Sequence, residues 1–149
     1  MLDIDIRLAS ESDLPYILSI ENTCFSSPWK KEDLYRELTE NQFACFMLIS
    51  IDNQIVGFCD YWQTFDSGTI CQIAIDRHFR NMGFASRLLN EVLDDCFAKK
   101  ITSITLEVRA SNFPAIKLYE KFNFKTVCVK PHYYDDGEDA LYMVRKVEI

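Results

Sequence analysis

Apolar residues recur along the chain with two different periods, and each change of period marks a new element. "DIDIRLA" near the start alternates apolar and polar positions, which places every second side chain on one face of a strand. "SESDLPYILSIENTCF" then takes up helical spacing, with Ser12 or Asp13 as N-cap and Pro15 in the first turn, where a missing N–H does no harm. A second helix is expected to start at Ser27-Pro28 and to cover "WKKEDLYRELTE". Three strands follow as a meander: "FACFMLISI", "QIVGFCDYWQTF" and "TICQIAI", with turns at Asp52-Asn53 and Ser67-Gly68. After "RNMGFA" the spacing is helical again, and Leu88, Leu89, Val92, Leu93, Cys96 and Phe97 share one face. "ITSITLEVRA" reads as a strand, "NFPAIKLYEKF" as a helix, and "FKTVCVKPHYY" with "DALYMVRKV" as a hairpin closing around Asp136-Gly137.

Strands in a row, followed by strand–helix–strand–helix–strand, imply an α/β protein with one mixed sheet and helices on both faces. The parallel pair is expected between "TICQIAI" and "ITSITLEVR", joined by the helix that separates them. That crossover sets Gly83 at the carboxyl end of a parallel strand, where open α/β sheets bind ligands.

Composition narrows the class. A chain of 149 residues without a linker, repeat or low-complexity segment suits a single domain spanning 1–149. The start lacks a basic region followed by an apolar one, and no apolar run is long enough to cross a bilayer, so a soluble, cytoplasmic protein with no membrane partner is expected. The six cysteines are spread at intervals of at least 12 residues, without a C-x-x-C pair, and read as buried reduced thiols. A net charge of −7 speaks against direct nucleic-acid binding and, weakly, for a cationic partner.

Candidate chemistry centres on "RNMGFA". A helix N-terminus offers unpaired N–H groups and partial positive charge, and a glycine without Cβ lets an anion approach the backbone. Arg77, His78, Arg80 and Arg87 surround it against the single Asp76, a local basic excess that suits a multiply charged phosphate ligand. A plain strand-to-helix turn with surface arginines has the same spacing. The isolated glycines at 57, 68, 83 and 137 match neither a dinucleotide fingerprint nor a P-loop. With two histidines, no H-E-x-x-H and no G-x-S-x-G, neither a metal site nor a serine nucleophile is expected, and no spacing favours a Cys–His pair. Read alone, Glu107 can lie on a polar sheet face beside Arg109. Tyr119 can be a packing residue in the Ala115, Leu118, Tyr119, Phe122 stripe, and Asn112 an N-cap.

Arg80, Gly83 and Ala85 also fill the defining places of [QR]-x-x-G-x-[GA], the pattern by which the chain resembles the GNAT family of N-acetyltransferases. "LEVRASNFPAIKLYEKFNF", "IENTCFSSPW" and "YYDDGEDALYM" are similar to the protein N-terminal acetyltransferases of that family. They are closest in kind to the RimI type, which acetylates an N-terminal alanine on a small-subunit ribosomal protein. Asn123 stands where that group usually has glycine, and asparagine tolerates the left-handed backbone of a helix C-cap.

The resemblance implies about seven strands, four helices on both faces and a central parallel pair splayed around acetyl-CoA. Arg80, Asn81, Met82, Gly83, Phe84, Ala85 and Ser86 would cradle the diphosphate, Ile73, Ala74 and Ile75 would hold the acyl arm through main-chain N–H groups, and Asn112 and Tyr119 would also contact the cofactor. Glu107 is implied as the base and Tyr119 as the acid. Phe25, Trp29, Tyr133 and Tyr134 would border the groove for the peptide N-terminus. The expected reaction is direct transfer in a ternary complex by a monomer or weak dimer. Acetylation of another amine, or acyl-CoA binding without catalysis, are the alternatives.

Overall fold

The computed structural model describes residues 2–146. Its strands are β1 (Ile4–Leu8), β2 (Ala44–Ile51), β3 (Gln54–Thr64), β4 (Ser67–Ile75), β5 (Ser103–Arg109), β6 (Lys125–Lys130) and β7 (Ala140–Lys146). The helices are α1 (Leu14–Cys24), α2 (Lys31–Thr39), α3 (Phe84–Ala98) and α4 (Phe113–Lys121). All seven strands join one sheet in the order β1-β2-β3-β4-β5-β7-β6. Among the described strands only β4 and β5 run parallel, as the crossover through α3 requires.

That parallel pair is short. It is registered at Ser67↔Ser103, Gly68↔Ile104 and Thr69↔Thr105 and no further, although β4 continues to Ile75 and β5 to Arg109. Each strand is secured on its other side instead. β5 pairs along its whole length with β7, from Ser103↔Lys146 to Arg109↔Ala140. β4 pairs with β3, but the register steps from Tyr61↔Ile70 to Asp60↔Gln72 and leaves Cys71 unmatched. This bulge bends β4 where the pair ends, and the two strands part into a cleft.

Two apolar layers fix the strands around that cleft. Leu14, Ile17, Ile20 and Leu34 of α1 and α2 pack on Phe46, Leu48, Phe58 and Ala74. On the opposite face Leu88, Leu89, Val92, Leu93 and Cys96 of α3 and Tyr119 of α4 pack on Ile70, Ile104, Leu106 and Met143. Leu88, Leu89 and Val92 are fully buried, each worth roughly 2 kcal/mol, so packing more than helix propensity holds α3 in place.

Three expectations need correction. The second helix begins at Lys31 rather than at Ser27-Pro28. The Trp29 N–H is taken by Glu21 Oε2 at 3.1 Å, and Lys30 is extended at φ −71°, ψ 154°. The β3–β4 turn falls at Phe65-Asp66, with Phe65 at φ 53°, not at Ser67-Gly68. Gly68 lies in β4, where Ile101 and Ile104 come within 3.4 Å of the place a Cβ would occupy. Of the six free cysteines only Cys59 and Cys96 are buried, while Cys128 is exposed on β6. The Asp52-Asn53 turn stands as expected, with φ of 50° and 69°, and Asn123 takes the left-handed conformation at 69°. Val147, expected to end the last strand, lies outside the described residues. Among the described residues no helix is long and apolar enough to cross a membrane.

Candidate active site

Strand alternation decides what the cleft offers on its β4 side. The Asp76 N–H donates to Val56 O at 2.7 Å and Ala74 is matched with Phe58, so these residues turn their main-chain groups toward β3. Ile73 and Ile75, on either side of Ala74, therefore face the gap, whereas Ala74, expected beside them as an acyl-holding amide, turns toward β3. The Ile75 carbonyl accepts from Arg80 Nε at 3.0 Å and from the Cys24 thiol at 3.5 Å, which folds the arginine back across the end of the strand.

Beyond Ile75 the chain makes a short turn over Arg77–Phe79, capped by Asp76 accepting from the His78 N–H at 2.9 Å. Asn81 (φ 64°) and Gly83 (φ 82°) are left-handed, and α3 starts at Phe84. The Phe84 ring is buried, pinning the first turn, so the N–H groups of the first helical residues point outward without helical acceptors. A Cβ on Gly83 would meet nothing within 4 Å. Glycine is thus required there by its backbone angle, and the open space before it can admit an anion. Lys121, at the end of α4, adds a cation by donating to Ser86 Oγ at 3.1 Å. Arg80, Arg87 and Met82 are exposed around this turn.

The β5 side carries the carboxylate. Ile104, Leu106 and Val108 are buried against α3 and α4, so Thr105, Glu107 and Arg109 face the α1/α2 side. Glu107 does not pair with Arg109. Its Oε1 accepts from Lys130 Nζ at 2.7 Å, and that ammonium lies 4.6 Å from the Tyr142 ring centre and 5.4 Å from that of Tyr133. The hydrogen bond to Glu107 raises the Lys130 pKa, so the lysine stays charged. Arg109 instead bonds Asp136 at 2.8 Å and Glu138 at 2.9 Å and stacks 4.1 Å over Tyr134, fastening the β6–β7 loop to the end of β5. Tyr133 and Tyr134 meet edge to face in that loop at 5.1 Å.

Tyr119 occupies the other face. It is 6% exposed and sits edge-on to Phe124 at 5.7 Å. Burial pushes its phenol pKa well above the ordinary value, with smaller contributions from Cys59 and Tyr134. Glu107 faces the α1/α2 side while Tyr119 packs in the α3/α4 layer, so the carboxylate and the phenol lie on opposite sides of the sheet. Asn112 caps α4, its Oδ1 accepting from the Ala115 N–H at 3.3 Å. Phe25 and Trp29, in the α1–α2 loop, are half-buried against the α1/α2 core. That loop is tied to β4 through Glu21, which accepts from Trp29 N and from Gln72 Nε2, both at 3.1 Å.

Ile73, Ile75 and the Arg80–Ser86 turn thus follow one another at the end of β4, Glu107 lies on β5, the Tyr133-Tyr134 pair sits in the loop that Arg109 fastens to the end of β5, and Tyr119 packs in the α3/α4 layer. Sequence reasoning missed Lys130, Lys121 and the Glu21–Gln72 tie. None of them has a motif, because each partner comes from a distant element.

The model of the Acetyltransferase (GNAT) family matches residues 14–124. A "Putative [ribosomal protein bS18]-alanine N-acetyltransferase" of Bacillus subtilis is 37% identical over 139 residues, covering 93% of this chain and 92% of that protein. An "N-alpha-acetyltransferase" of Saccharolobus solfataricus is 34% identical, with 96% and 93% of the two chains covered. The crystal structure of the ribosomal-protein-S18-alanine N-acetyltransferase from Escherichia coli superposes with a TM-score of 0.92 at 26% identity, over 99% of this chain and 96% of that one.

Proposed function

Because the chain belongs to the GNAT acetyltransferase family, we propose that it moves an acetyl group from acetyl-CoA to the N-terminal α-amino group of an alanine on a small-subunit ribosomal protein. The observation that carries this reading is the cleft itself. It has an anion-receiving helix N-terminus at its mouth and a carboxylate at half-burial on the facing strand.

Acetyl-CoA fits the residues present: Gly83 leaves open space before the outward N–H groups of α3, and Arg80, Arg87 and Lys121 supply the charge its diphosphate needs. When bound it supplies an acyl carbon activated as a thioester. The N–H groups of Ile73 and Ile75 face the gap where they can hold the acyl arm and polarise its carbonyl. Phe25, Trp29, Tyr133 and Tyr134 border the entrance for the peptide, and Asn112 is left its amide N–H groups for the cofactor arm.

Glu107 takes a proton from the α-ammonium, which ionises near roughly 7.7–8.0 and needs only a modest base. As the new C–N bond forms and the C–S bond breaks, Tyr119 delivers its phenolic proton to the departing sulfur, and the second proton shed by the amide nitrogen leaves through solvent, from which the tyrosinate is reprotonated. The raised phenol pKa keeps Tyr119 protonated in the resting protein, and the transfer is uphill unless the developing thiolate draws the proton. Direct transfer is favoured over an acyl-cysteine route. Cys71, on β4, has its thiol pKa pushed far up by burial and by Asp60, and so is not a ready nucleophile. A ribosomal substrate places the reaction in the cytoplasm.

The deciding experiment incubates the protein with acetyl-CoA and alanine-, serine- and methionine-initiated peptides, following thiol release and locating the acetyl group by mass spectrometry. Acetylation of the alanine α-amine is expected. Transfer to lysine side chains alone, or cofactor binding without thiol release, overturns the reading.

A further inference from the structure

Below the cleft, on the α1/α2 side of the sheet, three elements converge on one buried point. Glu37 of α2, Asp60 of β3 and Cys71 of the β4 bulge bring a carboxylate oxygen each and a thiol sulfur within 4.8 Å of one another. Asp60 is 0% exposed and Glu37 6%. Neither Asp60 oxygen has a hydrogen-bond partner among the described residues. The neighbouring Glu21 Oε1 and Gln72 Oε1 are also sealed and unpartnered. All four orphaned atoms are acceptors. No basic side chain forms an ion pair with Glu37 or Asp60 among the described residues, and burial beside Glu37 pushes the Asp60 pKa up to about 10, so without a cation the Asp60 carboxyl keeps a proton that metal binding would release to solvent.

Glu37 is already oriented. Its Oε1 accepts from Asn41 Nδ2 and its Oε2 from Trp62 Nε1, each at 2.7 Å, and every carboxylate oxygen keeps a second lone pair. Such outer partners are what fixes a metal-ligating carboxylate.

We propose that Glu37, Asp60 and Cys71 form a site for one divalent cation of the zinc class, clamping α2 to β3 and β4 beneath the cleft. A thiolate with two carboxylates is too soft a set for calcium or magnesium, which take six or more oxygens or keep their waters, and too oxygen-rich for copper(I). Three protein ligands from a helix and two strands leave a fourth position open in the tetrahedral arrangement zinc adopts. On binding, the Cys71 thiol gives its proton to solvent and its sulfur forms the bond to the ion. The ligands lie 23 and 11 residues apart in the chain, on separate elements, so no spacing motif announces them.

The test uses the purified full chain, stripped with a chelator and loaded with ZnCl2 or CoCl2. After gel filtration the wild type should retain one zinc per chain by atomic emission, and its Tm should rise by about 5–10 °C when zinc is in hundredfold excess over Kd. Cobalt should give a thiolate-to-metal absorption band. Cys71→Ser should abolish the band and Asp60→Asn the retention, whereas Cys128→Ser, at an exposed thiol, should leave both intact. Equal retention in Cys71→Ser and wild type would mean adventitious surface binding and overturn the site. So would a wild type that retains no metal, with the two carboxyls then sharing a proton. If Asp60→Asn fails to fold, the cobalt band of the wild type against Cys71→Ser still decides.

Discussion

Lys130 Nζ lies 2.7 Å from Glu107 Oε1, so an ammonium of the chain itself occupies the carboxylate proposed to receive the proton of a substrate amine. Removing each partner should have unequal effects. Glu107→Gln keeps the shape but cannot accept the proton, and kcat/KM on an alanine-initiated peptide should fall about 10²- to 10³-fold. Lys130→Ala leaves the carboxylate in place without its anchor and should cost no more than about tenfold. Steady-state thiol-release kinetics on the two variants separate the roles. Near-normal turnover in Glu107→Gln would remove the base assignment.

Tyr119→Phe isolates the phenol. The ring packs edge-on to Phe124 and its hydroxyl makes no hydrogen bond among the described residues, so stability should change by less than about 1 kcal/mol. Turnover should drop by roughly 10- to 100-fold if the phenol delivers the proton. Thermal unfolding and kcat measured side by side check both halves. A parallel loss of Tm and activity would point to packing instead.

Gly83→Val is expected to weaken coenzyme A binding at least tenfold by calorimetry. A β-branched residue at φ 82° costs about 1–3 kcal/mol in strain, and its side chain fills the open space before the N-terminus of α3. Unchanged affinity would show that the diphosphate lies elsewhere.

Acid stability should depend on Asp13. Arg7 grips both its carboxylate oxygens at 2.9 Å, and this hydrogen bonding brings the Asp13 pKa down to about 2 against its burial. A depressed carboxyl pKa stabilises the fold above the unfolded value near roughly 3.9, and that contribution is lost as pH falls from there through 2. The loss should amount to roughly 1–2 kcal/mol, because Arg7 is partly solvated. Urea unfolding of wild type and Arg7→Met at pH 7, 4 and 2.5 should show the variant less stable at pH 7, with the gap closing at pH 2.5.

The element order was legible because period changes are local. Alternation in Ile4–Leu8 and the Leu88, Leu89, Val92, Leu93, Cys96 stripe need only neighbouring residues to declare themselves. The start of α2 was not legible, since Ser27-Pro28 is a good helix opening that a side chain of α1 overrides by taking the Trp29 N–H. The same distinction divides the site. "RNMGFA" shows as a motif because a turn is built from consecutive residues, and Glu107 and Tyr119 follow from the family likeness. The Lys130 partnership could not be read, because it joins residues 23 apart through a strand order in which β7 separates their strands.

That insertion of β7 has a consequence for synthesis. Past Thr105 the strand bearing Glu107 has β7 as its sheet neighbour, and Ala140–Lys146 are translated after the other described elements. A nascent chain still tethered short of Lys146 therefore cannot set the carboxylate proposed as the base, so competence should switch on late in translation, and premature stop products should emerge inert.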